Sequence, residues 1–361
     1  MPALVQSTRE FQALYPEVDW DMLYVPLEDL RARYETAVRE GGGPSLLLGP
    51  AEWGPSLYKG GLVADLSGSV STSLLEALNP AALGSVRYQE ALIGLPYAIQ
   101  GVVLYRNQML IPEAPDTLDD LIKLAIQATK GAVIGAILER SFFYSGAHLE
   151  SIGGSLLDPD GLPTFNDEKG VAWIELLRML EQAGPTEYAA ERDLEFFKAG
   201  KAGFVIDGTW NMRVLDEAIG PGNLAIDPWP SYKEGALSGY VQSENLFLNP
   251  NLAGDRQAAA RKFAEFFLSP QIQASLVETG RIPASRSFRV PDPLITQAVD
   301  ALAGGITYPP VPEMAVYAGP MDTALRLIFE QGVSPADALL SASNAIQAAL
   351  LGFQATPTAA P

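Results

Sequence analysis

The stretch Gly94-Leu95-Pro96-Tyr97-Ala98-Ile99-Gln100-Gly101-Val102-Val103-Leu104-Tyr105-Arg106-Asn107 reads as one extended run. Strands of ~5–6 residues are the norm, so this run is long for one small sheet. A strand that leaves one domain and enters another accounts for it. Two domains also suit the length, because 361 residues exceed what a single core usually holds.

Around that run, helix and strand signals alternate, which predicts an α/β architecture. Leu4, Val5, Phe11 and Leu14 fall at helical spacings, and Pro16 ends that helix. Asp19 to Val25 alternates and predicts a strand; Leu27 to Arg39 predicts a helix stopped by Gly41-Gly42-Gly43. Ser45 to Gly49 predicts a short buried strand. Asp116-Thr117 before Leu118 is a helix start, Val133 to Leu138 a strand, and Asn166-Asp167-Glu168 the cap of a helix reaching Leu180. Phe196 to Gly208 reads as a helix end, a Gly turn and a strand. Helical pairs follow over Ala258–Phe267 with Pro270–Glu278, and Met321–Phe329 with Pro335–Leu351.

Composition removes several chemistries. There are no cysteines, which excludes disulfides, thiolate metal sites and Cys nucleophiles. The single histidine, His148, argues against a His-dependent triad or a His-rich metal site. Forty-three acidic against 24 basic residues give a net charge of −19, which repels nucleic acid and anionic lipid. No apolar run is long enough to cross a membrane. No signal-peptide pattern is visible, and the expectation is that a targeting segment has been removed. The Walker phosphate loop, the His-Glu-x-x-His motif and the Gly-x-Ser-x-Gly elbow with a usable His are all absent.

Several stretches, taken in order, resemble the solute-binding proteins of bacterial sugar ABC importers, of the maltose/maltodextrin-binding type. Gly43-Pro44-Ser45-Leu46-Leu47-Leu48, then Glu52-Trp53, then Gly60 to Leu66, is similar to the family's first ligand loop and the segment after it. Gly94 to Asn107 resembles its first crossover between lobes. Phe197-Lys198-Ala199-Gly200-Lys201-Ala202-Gly203-Phe204 through Gly208-Thr209-Trp210 resembles its helix-Gly-strand-Gly-x-Trp stretch, and Phe263 to Ala284 its late helical region. The resemblance implies a two-lobed periplasmic-binding-protein fold (type II), each lobe a sheet flanked by helices, with the ligand cleft between lobes. The lobes are expected at 1–98 with 242–292, and at 103–238 with 306–351. Crossovers are expected at 99–102, 239–241 and 293–305, with a flexible tail at 352–361. Family members begin with a β-strand before the first helix; here Met1 sits almost on that helix, so the first strand is expected to be missing.

A sugar offers apolar C–H faces and a rim of hydroxyls, so its site needs flat rings and carboxylates or amides. Glu52 and Trp53 follow a buried strand; Trp53 reads either as a stacking surface or as a cover on its own lobe. Tyr97 and Gln100 lie in the first crossover, and Tyr240 and Glu244 in the second. The resemblance implies a carboxylate near the position of Gln100, so an amide there points away from simple maltose. Phe143 and Tyr144 follow a strand where the family places aromatics, Trp210 ends the Gly-x-Trp stretch, and Tyr317 lies near a further family aromatic. His148 reads as structural.

The implied function is capture of a mono- or oligosaccharide by hinge closure and delivery to the permease of an ABC importer, by a periplasmic or extracellular monomer, with lipid anchoring compatible. Neither catalytic residues, a cofactor nor a metal is expected. A polyamine or other non-sugar solute on the same fold stays open, as does a carbohydrate-active enzyme, because acidic residues are too many for pairs to be informative.

Overall fold

The computed structural model describes residues 2–187, 192–233, 235–278, 280–286, 288 and 291–355. Six strands position the candidate site: β1 (Leu46–Pro50), β2 (Leu95–Asn107), β3 (Ile134–Glu139), β4 (Ala202–Gly208), β5 (Leu224–Asp227) and β6 (Tyr240–Leu248). The chain divides into two compact units. Unit 1 comprises Met1–Gln100, Val241–Val299 and Thr307–Pro312; unit 2 comprises Gly101–Tyr240, Asp300–Ile306 and Glu313–Pro361. The long strand β2 passes from the first into the second at Gln100.

In unit 1 the sheet runs β1-β6-β2. β1 and β6 are antiparallel, with Leu46 opposite Leu248 and Pro50 opposite Glu244. Ile282–Pro283 adds to β2 opposite Ile99 and Ala98. The helix Pro2–Leu14 places Phe11 in a core with Phe263, Phe267, Leu246 and Leu248. A second cluster joins Tyr34, Leu47, Trp53, Leu57 and Phe247.

Asp19 to Val25, predicted as a strand, is not one. Extended backbone needs a neighbouring ladder for its N–H and C=O groups, and no described strand pairs with it. Its register survives only in part: Trp20 packs 4.2 Å from the Phe263 ring, whereas Leu23 and Tyr24 are 76% and 69% exposed.

In unit 2, β2 pairs antiparallel with β4, Val102 opposite Gly208 and Arg106 opposite Phe204, and also with β5. β3 pairs with β4 in parallel. The buried Arg106 guanidinium forks onto Asp227 at 2.6 and 2.9 Å and donates to the carbonyls of Ile111 and Pro112, so both charges are desolvated with partners in place. The predicted helix starts hold. Thr117 and Asp120 form a reciprocal capping box, and the Asp167 carboxylate accepts from Lys169 and Gly170. Residues 293–305, expected as a crossover, contain the helix Pro293–Ala303, within which the chain passes from unit 1 to unit 2 between Val299 and Asp300. The helix Pro335–Ala355 runs into the tail expected to be flexible from residue 352. Residues 356–361 of that tail lie outside the described residues.

Candidate functional site

Strand β4 is buried along its whole length and ends at Gly208. The backbone then turns through a 3₁₀ segment, Thr209–Asn211, whose first residue is buried and whose second faces outward. The Thr209 hydroxyl oxygen accepts from the Gly101 amide at 3.2 Å. Trp210 is left 45% exposed, which is unusual for so large an apolar ring. Its neighbour is the half-buried Phe143, with ring centroids 6.2 Å apart and a tilt of 39°.

Phe143 comes from the short helix Phe142–Ser145 that follows β3. That helix is tied down at its start. The Glu139 carboxylate accepts from the amides of Arg140 and Ser141, and the Asp322 carboxylate accepts from Phe142 at 2.7 Å. Tyr144 stands edge-on to Phe143 at 5.5 Å. Burial, then the charges of Asp207 and Glu139, push its phenol well above the usual range, so it remains a hydroxyl.

The buried Asp207 organises the polar edge. One carboxylate oxygen accepts from the Tyr144 hydroxyl at 3.3 Å, the other from the Asn211 amide nitrogen at 2.7 Å. The Tyr144 hydroxyl hydrogen and one hydrogen of the Asn211 amide are therefore turned inward. The phenol oxygen and the Asn211 carbonyl oxygen, which acquire no other partner among the described residues, are left as acceptors.

Two expected aromatics of unit 2 are core residues instead. Tyr240 is fully buried beneath Phe142 and Phe143, with its hydroxyl 3.5 Å from Glu150. Its position at the start of β6 turns its ring inward, so it is floor rather than wall. Tyr317 is also fully buried, and its hydroxyl donates to the Gly161 carbonyl at 2.8 Å, pinning a turn. His148 is buried as expected: its Nδ1 accepts from Ser238 and its ring lies against Trp229, and burial lowers its pKa to about 4.

Unit 1 presents a different set. Glu52 is exposed in the 3₁₀ turn after β1. Surrounding protein still raises its pKa, against the pull of Arg31. Tyr308 lies close enough to feel that carboxylate, and burial followed by Glu52 raises its phenol to about 12. Trp53 does not stack outward. It is 9% exposed, sits in the second core cluster, and presses on Gly49, where an added Cβ would lie 2.7 Å from the ring. Tyr97 likewise leaves the ligand set: its ring packs edge-on against Phe267 and its hydroxyl joins an ion pair, Glu244 to Arg281 at 2.8 Å. Glu244 is thus occupied, while the half-exposed Gln100 amide has no hydrogen-bond partner among the described residues.

Of the ten expected residues, Phe143, Tyr144 and Trp210 come together in unit 2, and Tyr97 and Glu244 in unit 1. Asp207 and Asn211 were missed. Their only signal is a spacing of four across the Gly-x-Trp turn. Arg31 and Tyr308 carried none.

The sequence profile of a family described as bacterial extracellular solute-binding protein matches residues 7–302. A galactooligosaccharide-binding protein of Bacillus subtilis (strain 168) is 24% identical over 328 residues, 84% of this chain and 76% of that protein. A maltotriose-binding protein of Pyrococcus abyssi (strain GE5 / Orsay) is 22% identical over 343 residues, 89% of this chain and 73% of that protein. Among solved structures, an extracellular solute-binding protein from Staphylococcus aureus in complex with maltose matches with a TM-score of 0.86 at 20% identity, over 98% of this chain and 96% of that one. A cyclo/maltodextrin-binding protein complexed with maltotetraose matches at 0.85 and 20% identity, over 99% and 95%. These likenesses show the two-lobed fold of mixed sheets flanked by helices that the sequence implied. With the profile covering most of its length, the chain belongs to the bacterial extracellular solute-binding proteins.

Proposed function

We propose that this protein captures an uncharged oligosaccharide and hands it to the membrane permease of an ABC importer, as a monomer in the periplasm or outside the cell. The observation that carries the reading is the Trp210–Phe143 platform beside an edge of acceptors set by Asp207. Flat rings match the C–H faces of a pyranose, and acceptors match its hydroxyl hydrogens. The names of the relatives support the same class, since one binds galactooligosaccharide and another maltotriose.

Hinge closure on ligand belongs to the proposal and reads out as a fall in the radius of gyration by small-angle X-ray scattering. The central test is calorimetry against maltose, maltotriose, maltotetraose, a galactooligosaccharide and spermidine. Binding of at least one saccharide, with the sugar recovered intact, is expected. A spermidine signal with silence across the sugars would overturn the ligand class, and turnover of the sugar would overturn the binding role.

A further inference from the structure

Gly208 has an ordinary backbone conformation, with φ −82° and ψ 150°, which any residue adopts. Conformational freedom therefore does not explain a glycine there; space does. A Cβ at this position would lie 2.0–2.3 Å from three atoms of the Trp210 indole, so the ring rests directly on the bare backbone. That backbone is held on several sides. Gly208 is opposite Val102 in the ladder, the Tyr105 hydroxyl donates to its carbonyl at 3.1 Å, and Thr209 is bonded to Gly101. The preceding residue is Asp207, whose carboxylate fixes Tyr144 and Asn211.

We propose that Gly208 and Asp207 are the positioning pair of the sugar platform, neither touching the ligand: Gly208 fixes the height and tilt of the Trp210 ring, and Asp207 holds the Tyr144 hydroxyl and the Asn211 amide so that their oxygens are left to accept. The inference rests on the platform reading above. It goes further in assigning the platform's geometry to two adjacent residues that carry no ring.

The three atoms nearest to an added methyl at position 208 all belong to the indole of the half-exposed Trp210, a side chain that can shift while the strand stays in its ladder. Gly208→Ala should therefore keep the fold and lift the indole. Three measurements test this, with maltotriose as probe, or the tightest-binding saccharide of the calorimetric panel. Without sugar, the tryptophan emission of Gly208→Ala should differ from wild type, and that difference should vanish when both proteins also carry Trp210→Ala. With sugar, Gly208→Ala should lose affinity by roughly 5- to 150-fold, as Trp210→Ala does, and the double variant should lose no more than Trp210→Ala alone. Asp207→Asn should weaken binding in the wild-type protein and have little further effect once Tyr144→Phe and Asn211→Ala have removed the groups it aims. Unchanged emission and affinity in Gly208→Ala, or losses that simply add to those of Trp210→Ala, would overturn the assignment while leaving the platform standing. Unchanged affinity in Trp210→Ala would instead remove the platform, and the positioning role with it.

Discussion

The two units each carry a strand with a glycine at or next to its last residue, followed by a 3₁₀ segment bearing a tryptophan, yet the two tryptophans do opposite things. In unit 1, β1 gives Gly49-Pro50-Ala51-Glu52-Trp53; in unit 2, β4 gives Gly208-Thr209-Trp210. Each ring lies on its own glycine, with a hypothetical Cβ 2.7 Å away in the first and 2.0 Å in the second. Four residues after its glycine, Trp53 falls back onto Leu47, Leu57 and Phe247 and closes a core. Two residues after its glycine, Trp210 stays at the surface beside Phe143. The motif alone thus fixes a ring on a backbone; the number of residues between and the apolar neighbours within reach decide whether the ring serves stability or recognition.

The contrast can be broken in order of expected size. Trp53→Ala should cost about 3–5 kcal/mol of stability in denaturant unfolding, with the affinity of the folded fraction within about twofold of wild type. Full stability with lost affinity would invert the assignment. Trp210→Ala should do the reverse: about 1–3 kcal/mol lost from saccharide binding by calorimetry, and under about 1 kcal/mol from unfolding. Tyr97→Phe removes a hydroxyl from the Glu244–Arg281 pair and should cost unit 1 about 1 kcal/mol of stability with little change in affinity; a large affinity loss would return Tyr97 to the ligand set.

The smallest effect concerns pH. Within unit 2, burial raises Glu150 to about 7 and lowers His148 to about 4. For Glu150 the folded form holds a proton that the unfolded chain has lost, so its contribution falls as pH rises from about 4.5 to 7. For His148 the unfolded chain holds the extra proton, so its contribution is present above about 6.5 and is lost as pH falls toward 4. Between about 4.5 and 6.5 the two slopes oppose each other. Glu150→Gln should therefore make stability rise with pH across that window by about one proton's slope, measured by urea unfolding at stepped pH. An unchanged slope would show that Glu150 is not the opposing group.

How much of this was legible follows from the kind of signal each feature leaves. The β2 run, the capped helix starts and the buried strands were readable because periodicity and capping are local. The strand expected over 19–25 failed because strandhood depends on a neighbour that a local pattern cannot supply. The aromatic positions were found, but Tyr97, Tyr240 and Tyr317 turned inward. A phenol with a buried partner and a phenol facing water have the same spelling. Asp207 escaped because a carboxylate that aims two other side chains looks like any acid at a strand end.

The seat of Trp210 has a consequence for how such a protein changes over generations. A side chain that stands on main chain and is half exposed can be exchanged with little repair to a core. Position 210 can therefore sample other rings and smaller groups at little cost to folding, and the menu of captured solutes can shift while the scaffold is left as it is. Position 53 has no such licence, since every exchange there is felt by the interior first.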